Sequence, residues 1–337
     1  MKTKGLIGMG ICAGLLVVTP NIGKGLEPPK EINFGIISTE SSQALEKGFR
    51  PFLDDMAKAL GMKVNAFFAS DYAGVIEAMR FGKVHIAWFG NKSAMEAVDR
   101  AHGEVFAQTV DLDGNPGYWS VLIVHRDSEI KSLDDVLKSP GKYTFGNGDP
   151  NSTSGFLVPG YYVFALNKID PKSHFKAVRT GNHESNALAV ASKQLDVATN
   201  NTESLSILKK RSPEKYEQLR VIWKSPLIPS DPLVWRKDLP EDLKAKIRDF
   251  VLSYGVRGPD AERQRAVLAG MSSGWAPFKP SDNSQLIPIR ELTLFREKLK
   301  VEADEKLSPQ EKEKRLEEIE AKLRELQSLK ERKAAGG

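Results

Sequence analysis

Short apolar runs alternate along this chain with segments in which apolar residues recur every three or four positions. Short runs are typical of strands, and the wider spacing is typical of amphipathic helices. The predicted strands are residues 31–37, 63–68, 84–89, 118–124, 143–146, 175–178 and 197–199. The predicted helices are residues 52–60, 72–81, 132–137, 152–166, 184–193 and 241–254. This alternation predicts an α/β fold with a largely parallel sheet.

The length of the chain and one proline-rich stretch indicate two lobes. A chain of 337 residues is long enough for two lobes that each have their own core. Residues 224–232 are rich in proline and polar residues, which is typical of an ordered crossing between lobes. Tyr118 begins the strand that enters the second lobe, near a hinge. We expect residues 26–117 and 232–290 to form the first lobe, residues 118–231 the second lobe, and residues 291–337 a charged helical extension.

Charged residues dominate the chain from residue 292 onward, in a pattern that predicts helix. A capping box begins at Ser308, with Pro309 at the first helical position. The apolar residues that follow form one stripe: Leu316, Ile319, Leu323, Leu326 and Leu329. A single stripe needs a partner, which is either the lobe that the helix leaves or another subunit. The narrow stripe and the heavy charge favour a seam between helices of two subunits, and hence a homodimer through this helix.

Residues 1–25 have the features of a secretory signal peptide. Lys2 and Lys4 precede an apolar run from Gly5 to Val18, which is shorter than a membrane span. The small residues near the end of this segment favour cleavage after Gly25, and an uncleaved anchor is the alternative. Export of the mature chain is therefore predicted.

Cysteine content and charge exclude several classes of protein. The only cysteine, Cys12, lies within the predicted signal peptide, so the mature chain is expected to lack disulfides and thiolate metal sites. The formal net charge is +5, and Lys2, Lys4 and Lys24 supply three of those charges, so the rest of the chain is almost balanced. That balance gives no sign of a nucleic-acid partner.

A cluster of hydroxyl residues opens the helix that is predicted after residue 151. Ser152 is placed to cap this helix, and Thr153 and Ser154 lie in its first turn, after a turn at residues 147–151. Hydroxyls and free backbone N–H groups at a helix start bind oxyanions such as phosphate or phosphonate, at the positive end of the helix dipole. An ordinary capped turn is the alternative, because serine and threonine cap many helices.

Five further residues lie at strand-to-helix turns or strand-to-loop junctions, where ligands of open α/β sheets bind. Tyr72, Tyr118 and His183 could donate hydrogen bonds to an anion. Their alternative roles are packing for the tyrosines and a structural hydrogen bond for the histidine. Glu203 and Asp231 would attract a cation if they met in a cleft, and otherwise they are ordinary caps or solvated charges.

No catalytic arrangement accompanies these groups. The sequence has no P-loop and no G-x-G-x-x-G motif after a predicted strand. The histidines show no metal-ligand spacing: His85, His102, His125, His174 and His183. An enzyme is therefore disfavoured.

Five stretches of the sequence resemble the periplasmic phosphonate-binding proteins of bacterial phosphonate ABC importers. They are residues 34–40, 64–69, 93–100, 145–162 and 197–203. The resemblance runs from about residue 33 to about residue 296, with a similar charged helix beyond, and its motifs are long and specific. One position departs from the pattern, since Phe89 stands where a close relative has tyrosine.

The resemblance implies a particular fold, partners and location. The fold implied is the two-lobed periplasmic-binding-protein type II fold, with two hinge crossings and a C-terminal helical extension, in which the lobes close on a ligand. No enzymatic activity and no cofactor are implied. The partners implied are a phosphonate and the ABC transporter permease in the inner membrane, and the location implied is the periplasm.

The resemblance also assigns roles to the candidate residues. The matching motifs would hold the phosphonate group with Tyr72, Tyr118, Ser152, Thr153, Ser154 and His183. Glu203 and Asp231 would hold the ammonium group of 2-aminoethylphosphonate. The same fold serves receptors for phosphate and phosphite, which is the alternative function. The two carboxylates separate these options, because a bare oxyanion gains nothing from negative charges beside it.

Overall fold

The computed structural model describes residues 29–336. The predicted signal peptide, residues 1–25, lies outside the described residues. Within the described range no helix is both long enough and apolar enough to cross a membrane. The elements form two α/β lobes, so the fold class expected from the sequence is confirmed.

Thirteen strands of the described residues form two large sheets and a short ribbon. They are β1 Glu31–Ile36, β2 Lys63–Phe68, β3 Ile86–Trp88, β4 Gly103–Asp111, β5 Gly117–Tyr118, β6 Ser120–His125, β7 Thr144–Asn147, β8 Ala177–Thr180, β9 Val197–Asn201, β10 Leu219–Lys224, β11 Ile228–Pro229, β12 Pro232–Arg236 and β13 Trp275–Pro280. The first sheet has the order β13-β4-β12-β3-β1-β2, and the second has the order β10-β6-β9-β7-β8.

Twelve α-helices of the described residues surround the sheets. They are α1 Ser42–Leu60, α2 Tyr72–Arg80, α3 Asn91–Arg100, α4 Leu133–Leu137, α5 Pro171–His174, α6 His183–Ala191, α7 Thr202–Arg211, α8 Pro213–Tyr216, α9 Glu241–Ser253, α10 Ala261–Gly270, α11 Ile287–Ala303 and α12 Pro309–Gly336. Residues Thr153–Leu157 and Gly160–Ala165 are π-helical, and Asn283–Leu286 form a 3₁₀ turn.

Both sheets are mixed, so the prediction of a largely parallel sheet was wrong. β1 pairs in parallel with β2 and β3, and β7 pairs in parallel with β8 and β9. β6 and β12 run antiparallel to their neighbours. Each of these two strands comes directly after a crossing, so it enters its sheet from the opposite end. The spacing of apolar residues shows that a strand exists but not the direction in which it runs.

The two crossings between the lobes lie side by side. β5 and β11 pair antiparallel, with Ile228 opposite Tyr118 and Pro229 opposite Gly117. A Cβ atom on Gly117 would lie 1.9 Å from the carbonyl oxygen of Ile228, so a larger residue would push the crossings apart. This pairing fixes Tyr118 at the place where the chain passes from one lobe to the other.

An aromatic cluster holds the first sheet against α1. Phe34, Phe49, Trp88 and Trp275 are buried, and the ring centroids of Trp88 lie 5.5 Å from those of both Phe49 and Trp275. Phe89, the residue that departs from the family pattern, is also fully buried in this core. Large buried rings fix backbone position because little free volume surrounds them. The end of β3 is therefore held rigidly where it reaches the space between the lobes.

The apolar stripe of α12 packs against α11 of the same chain. Ile319 and Leu326 are buried, and ion pairs join Lys298 to Glu320 at 2.9 Å and Lys330 to Glu291 at 2.5 Å. The expectation that a second subunit covers this stripe is thus corrected. The sequence could not settle the matter, because a stripe of this kind has the same pattern whether it faces its own chain or another.

We expect Leu326→Asp to release α12 from α11, because the leucine is only 8% exposed. Burying such a side chain contributes about 1.5–3 kcal/mol, and a carboxylate cannot replace it. Limited proteolysis should then remove the C-terminal helix early. Leu329→Asp is the matched control, since Leu329 is 41% exposed. Equal resistance of the two variants would show that the helix pair does not depend on this contact.

Candidate functional site

A cavity lies between the two lobes, beside the crossings. All eight residues that the sequence singled out line it: Tyr72, Tyr118, Ser152, Thr153, Ser154, His183, Glu203 and Asp231. Most of them lie just beyond the end of a strand or at a helix start, and two belong to the crossings. The topology therefore brings to one place residues that are far apart in sequence.

The two lobes are closed over this cavity, and backbone N–H groups of the first lobe donate hydrogen bonds to side chains of the second lobe. The backbone N–H of Lys92, in the first lobe, donates to Thr153 Oγ1, in the second lobe, at 2.8 Å. The backbone N–H of Tyr72 donates to Asp149 Oδ2 across the same gap at 3.1 Å. Residues of the cavity wall thus also hold the lobes together.

The three hydroxyl groups at the start of the segment after β7 are buried and share one arrangement. Each oxygen accepts a hydrogen bond from a protein N–H group, so each hydroxyl proton is left to donate to another acceptor. The donors are the backbone N–H of Gly155 to Ser152 at 3.0 Å, the backbone N–H of Lys92 to Thr153 at 2.8 Å and the side-chain amide of Asn201 to Ser154 at 3.0 Å. Three polarised hydroxyls in one turn suit an anion with several oxygens.

The segment that carries these hydroxyls is π-helical rather than the regular helix expected over residues 152–166. The N–H of Leu157 bonds to the carbonyl of Ser152, five residues back, at 3.1 Å. The preceding turn is tight, because a Cβ on Gly148 would lie 2.5 Å from the Cα of Gly155. Widened helical turns are common at functional sites, and apolar spacing does not distinguish them from regular helix.

Three buried polar atoms in the cavity wall have no hydrogen-bond partner within the described residues. They are Thr39 Oγ1, Trp88 Nε1 and His183 Nδ1, and each belongs to a residue that lines the cavity. An unpartnered buried donor costs about 1–3 kcal/mol. All three can donate a hydrogen bond, so oxygen atoms of a ligand would satisfy them.

The ring donors around the cavity are neutral near pH 7. Burial lowers the pKa of His183 to about 4. The pKa values of Tyr72 and Tyr118 are raised well above the usual range of tyrosine. Burial is the largest cause, and the negative charge of nearby carboxylates is the second. These residues therefore act as uncharged hydrogen-bond donors, and an anion would be held by hydrogen bonds rather than by a basic side chain.

The carboxyl groups of Glu203 and Asp231 line the same cavity, where no cation of the described residues pairs with them. Burial raises the pKa of Glu203 to about 7, and the negative charge of Asp111 adds to this effect. Burial and then the charge of Glu203 raise the pKa of Asp231. Such carboxylates are costly to ionise unless a positive group lies beside them. The arrangement therefore favours a ligand that carries a cation.

Tyr118 is hydrogen-bonded to one of the two carboxyl groups in this structure. Its hydroxyl donates to Asp231 Oδ1 at 2.9 Å, which occupies its only proton. The resemblance instead implied that Tyr118 holds the phosphonate group. Ser273 Oγ makes a weaker contact of 3.4 Å with Glu203 Oε1.

Sequence reasoning missed several residues of the cavity wall. Asn201 lies at the end of β9 and caps α7, and an asparagine at such a junction was a usable signal. Gly90 also lines the cavity, and a Cβ there would lie 3.3 Å from Thr153 Oγ1 and 3.8 Å from Asp231 Oδ1. The absence of a side chain at Gly90 thus leaves both groups open to the cavity.

Two features bear on enzymatic activity. The sequence Gly270-Met271-Ser272-Ser273-Gly274 matches G-x-S-x-G, but it joins α10 to β13, whereas a nucleophile elbow joins a strand to a helix. Across residues 29–336 no group of three or more histidine, cysteine, aspartate or glutamate side chains could hold a metal ion.

Two α/β lobes, joined by paired crossings and closed over a polar cavity, have the architecture of a solute-binding protein of the periplasmic type. Residues 34–286 match the family model for periplasmic phosphonate substrate-binding proteins of ABC transporters. The chain belongs to this family. It is therefore the phosphonate-binding component of an ABC transporter and not an enzyme, and its partners are a phosphonate ligand and a membrane permease.

Individual relatives agree with this assignment. The chain is 60% identical over 303 residues to the phosphonates-binding periplasmic protein of Escherichia coli, covering 90% of this chain and 88% of that protein. A phosphate-import protein of Mycolicibacterium smegmatis is 31% identical over 59% of this chain and 64% of its own length. The crystal structure of a binding protein of an ABC phosphonate transporter from Pseudomonas aeruginosa superposes with a TM-score of 0.87, at 55% identity, covering 91% of this chain and all of that one.

Proposed function

We propose that this protein binds 2-aminoethylphosphonate between its lobes and delivers it to the permease from the periplasm. The observation that carries the proposal is that one cavity holds two kinds of group. It offers polarised hydroxyls and neutral ring donors, and it also offers two carboxyl groups without a cation partner among the described residues. A small molecule with an anionic and a cationic end matches both kinds of group.

In this proposal, each side of the cavity has its own residues. Ser152, Thr153, Ser154, Tyr72 and His183 bind the phosphonate oxygens, because their protons are free to donate. Tyr118 completes this group if its proton turns from Asp231 to the phosphonate when an ammonium pairs with that carboxylate. Glu203 and Asp231 bind the ammonium group.

Phosphate or phosphite is the alternative ligand, and one relative is named for phosphate import. The carboxyl groups count against this alternative. A bare oxyanion brings no positive group to Glu203 and Asp231, so both carboxyl groups would have to stay protonated beside it or repel it. Where either group is ionised, its burial leaves little water to screen that repulsion.

We further propose that residues 1–25 direct the chain to the periplasm and are then removed. Two lysines followed by a short apolar run support this proposal. The family consists of periplasmic proteins, which requires export of this kind. N-terminal sequencing of the secreted protein would give the first residue of the mature chain.

The pH dependence of ligand stabilisation tests the cationic half of the proposal. The pKa of Glu203 rises from 4.5 to about 7 on folding, so ionisation destabilises the unliganded fold as pH rises from about 4.5 to 7. The loss is up to about 3 kcal/mol. An ammonium beside Glu203 would remove this penalty. Thermal stabilisation by 2-aminoethylphosphonate should therefore be larger at pH 8 than at pH 5.

Two comparisons separate this effect from titration of the ligand. Methylphosphonate has a phosphonate group and no amine. The thermal stabilisation that it gives the protein should therefore lack the pH dependence that comes from Glu203. Glu203→Gln removes the titrating group and should reduce the pH dependence with 2-aminoethylphosphonate. The same pH dependence in the wild type and in Glu203→Gln would contradict the proposal.

A further inference from the structure

A buried asparagine connects three groups at the anion-binding side of the cavity. Asn201 Oδ1 accepts a hydrogen bond from the backbone N–H of Ser204 at 2.7 Å. Asn201 Nδ2 lies 3.0 Å from Ser154 Oγ and 3.2 Å from His183 Nε2. One side chain thus caps α7 and contacts two candidate ligand-binding residues.

The cap determines which way the amide faces. A backbone N–H can only donate, so the atom of Asn201 that faces Ser204 must be the oxygen. The NH₂ group then faces Ser154 and His183, and it donates to both. His183 Nε2 must therefore be an acceptor without a proton.

This contact fixes the tautomer of His183. A neutral imidazole carries one proton, so when Nε2 accepts, the proton is on Nδ1. His183 Nδ1 is the buried nitrogen that has no partner within the described residues. Ser154 Oγ accepts from the same asparagine, so its own proton is also free.

We propose that Asn201 is a positioning residue for phosphonate binding, which makes His183 an Nδ1–H donor and frees the Ser154 hydroxyl proton for the ligand. Without it, the Ser154 hydroxyl would turn to His183 Nε2, which lies 3.5 Å away. The Ser154 proton would then no longer be available to the ligand. The inference rests on the proposed function, because it assigns both protons to the phosphonate.

Asn201→Asp is the sharpest variant, because aspartate also caps helices and has nearly the same shape. It presents an acceptor where asparagine presents a donor, so Ser154 and His183 Nε2–H should both turn towards it. We expect methylphosphonate affinity to fall about tenfold to a hundredfold. Asn201→Ser keeps a capping oxygen and adds no charge, and we expect a fall of about tenfold. Asn182→Asp is the matched control, since Asn182 caps α6 in the same way and its amide nitrogen donates to no candidate residue.

A readout of the histidine ring distinguishes positioning from a general loss of structure. Nitrogen-15 NMR of the unliganded protein, with the His183 signals identified by their loss in His183→Gln, should show an Nδ1–H ring in the wild type and in Asn182→Asp. The ring should become Nε2–H in Asn201→Asp and a mixture in Asn201→Ser. An Nε2–H ring in the wild type, or a tautomer unchanged in both Asn201 variants, would overturn the inference. Failure of the proposed function looks different, because the wild type would then bind 2-aminoethylphosphonate no more tightly than methylphosphonate, whatever the state of His183.

Discussion

Glu203→Gln is expected to weaken binding of 2-aminoethylphosphonate about tenfold to a hundredfold while changing methylphosphonate binding little. The amide keeps the shape of the side chain and one acceptor, so the loss comes from the missing charge. A hydrogen bond to a charged group contributes about 1.5–3 kcal/mol, and this one would lie in a closed cavity with little screening water. Parallel calorimetric titrations with the two ligands measure the difference.

Two comparisons make this prediction sharp. Glu214→Gln removes an exposed carboxylate from the same lobe and should leave both affinities unchanged. Asp231→Asn should act in the same direction as Glu203→Gln, although it also alters the bond from Tyr118. Equal weakening of both ligands by Glu203→Gln would mean that Glu203 supports the fold of the cavity and does not recognise an amine.

Thr153→Val is expected to weaken both phosphonates about tenfold to a hundredfold. Valine has nearly the same shape, but it cannot donate to a phosphonate oxygen. It also cannot accept the backbone N–H of Lys92, so one hydrogen bond that closes the lobes is lost. Each of these losses lowers the affinity for any phosphonate, with or without an amine.

Thr180→Val is the control for this substitution, because Thr180 lies exposed at the end of β8. It should bind both ligands like the wild type. Unchanged binding by Thr153→Val would remove the hydroxyl cluster from the account. A loss of affinity for 2-aminoethylphosphonate alone would mean that Thr153 recognises the amine and not the phosphonate group.

The sequence singled out residues that line one cavity, whereas it did not give the direction of the strands in the sheets. The cluster Ser152-Thr153-Ser154 was visible because three hydroxyls after a turn are rare in an apolar pattern, and strand ends marked Glu203 and Asp231. The way these residues meet depends on contacts between distant segments, such as the pairing of β5 with β11. The resemblance to a family, and not local spacing, supplied that information.

Other features were hidden for identifiable physical reasons. The first half of α1 was missed because Pro51 lies inside the helix, where proline usually ends one. The role of Asn201 depends on three contacts from separate elements, which no single stretch of sequence shows. The partner of α12 depends on the fold of α11 beside it, since a stripe of leucines looks the same whether it faces its own chain or another.

The central claim is that one cavity recognises both a phosphonate and an amine. Calorimetric titration of the mature protein with 2-aminoethylphosphonate, methylphosphonate and phosphate, under one buffer and pH, tests it most directly. The account predicts that 2-aminoethylphosphonate binds tightest, methylphosphonate more weakly and phosphate weakest. Phosphate binding as tight as 2-aminoethylphosphonate, or no gain from the amine over methylphosphonate, would contradict it.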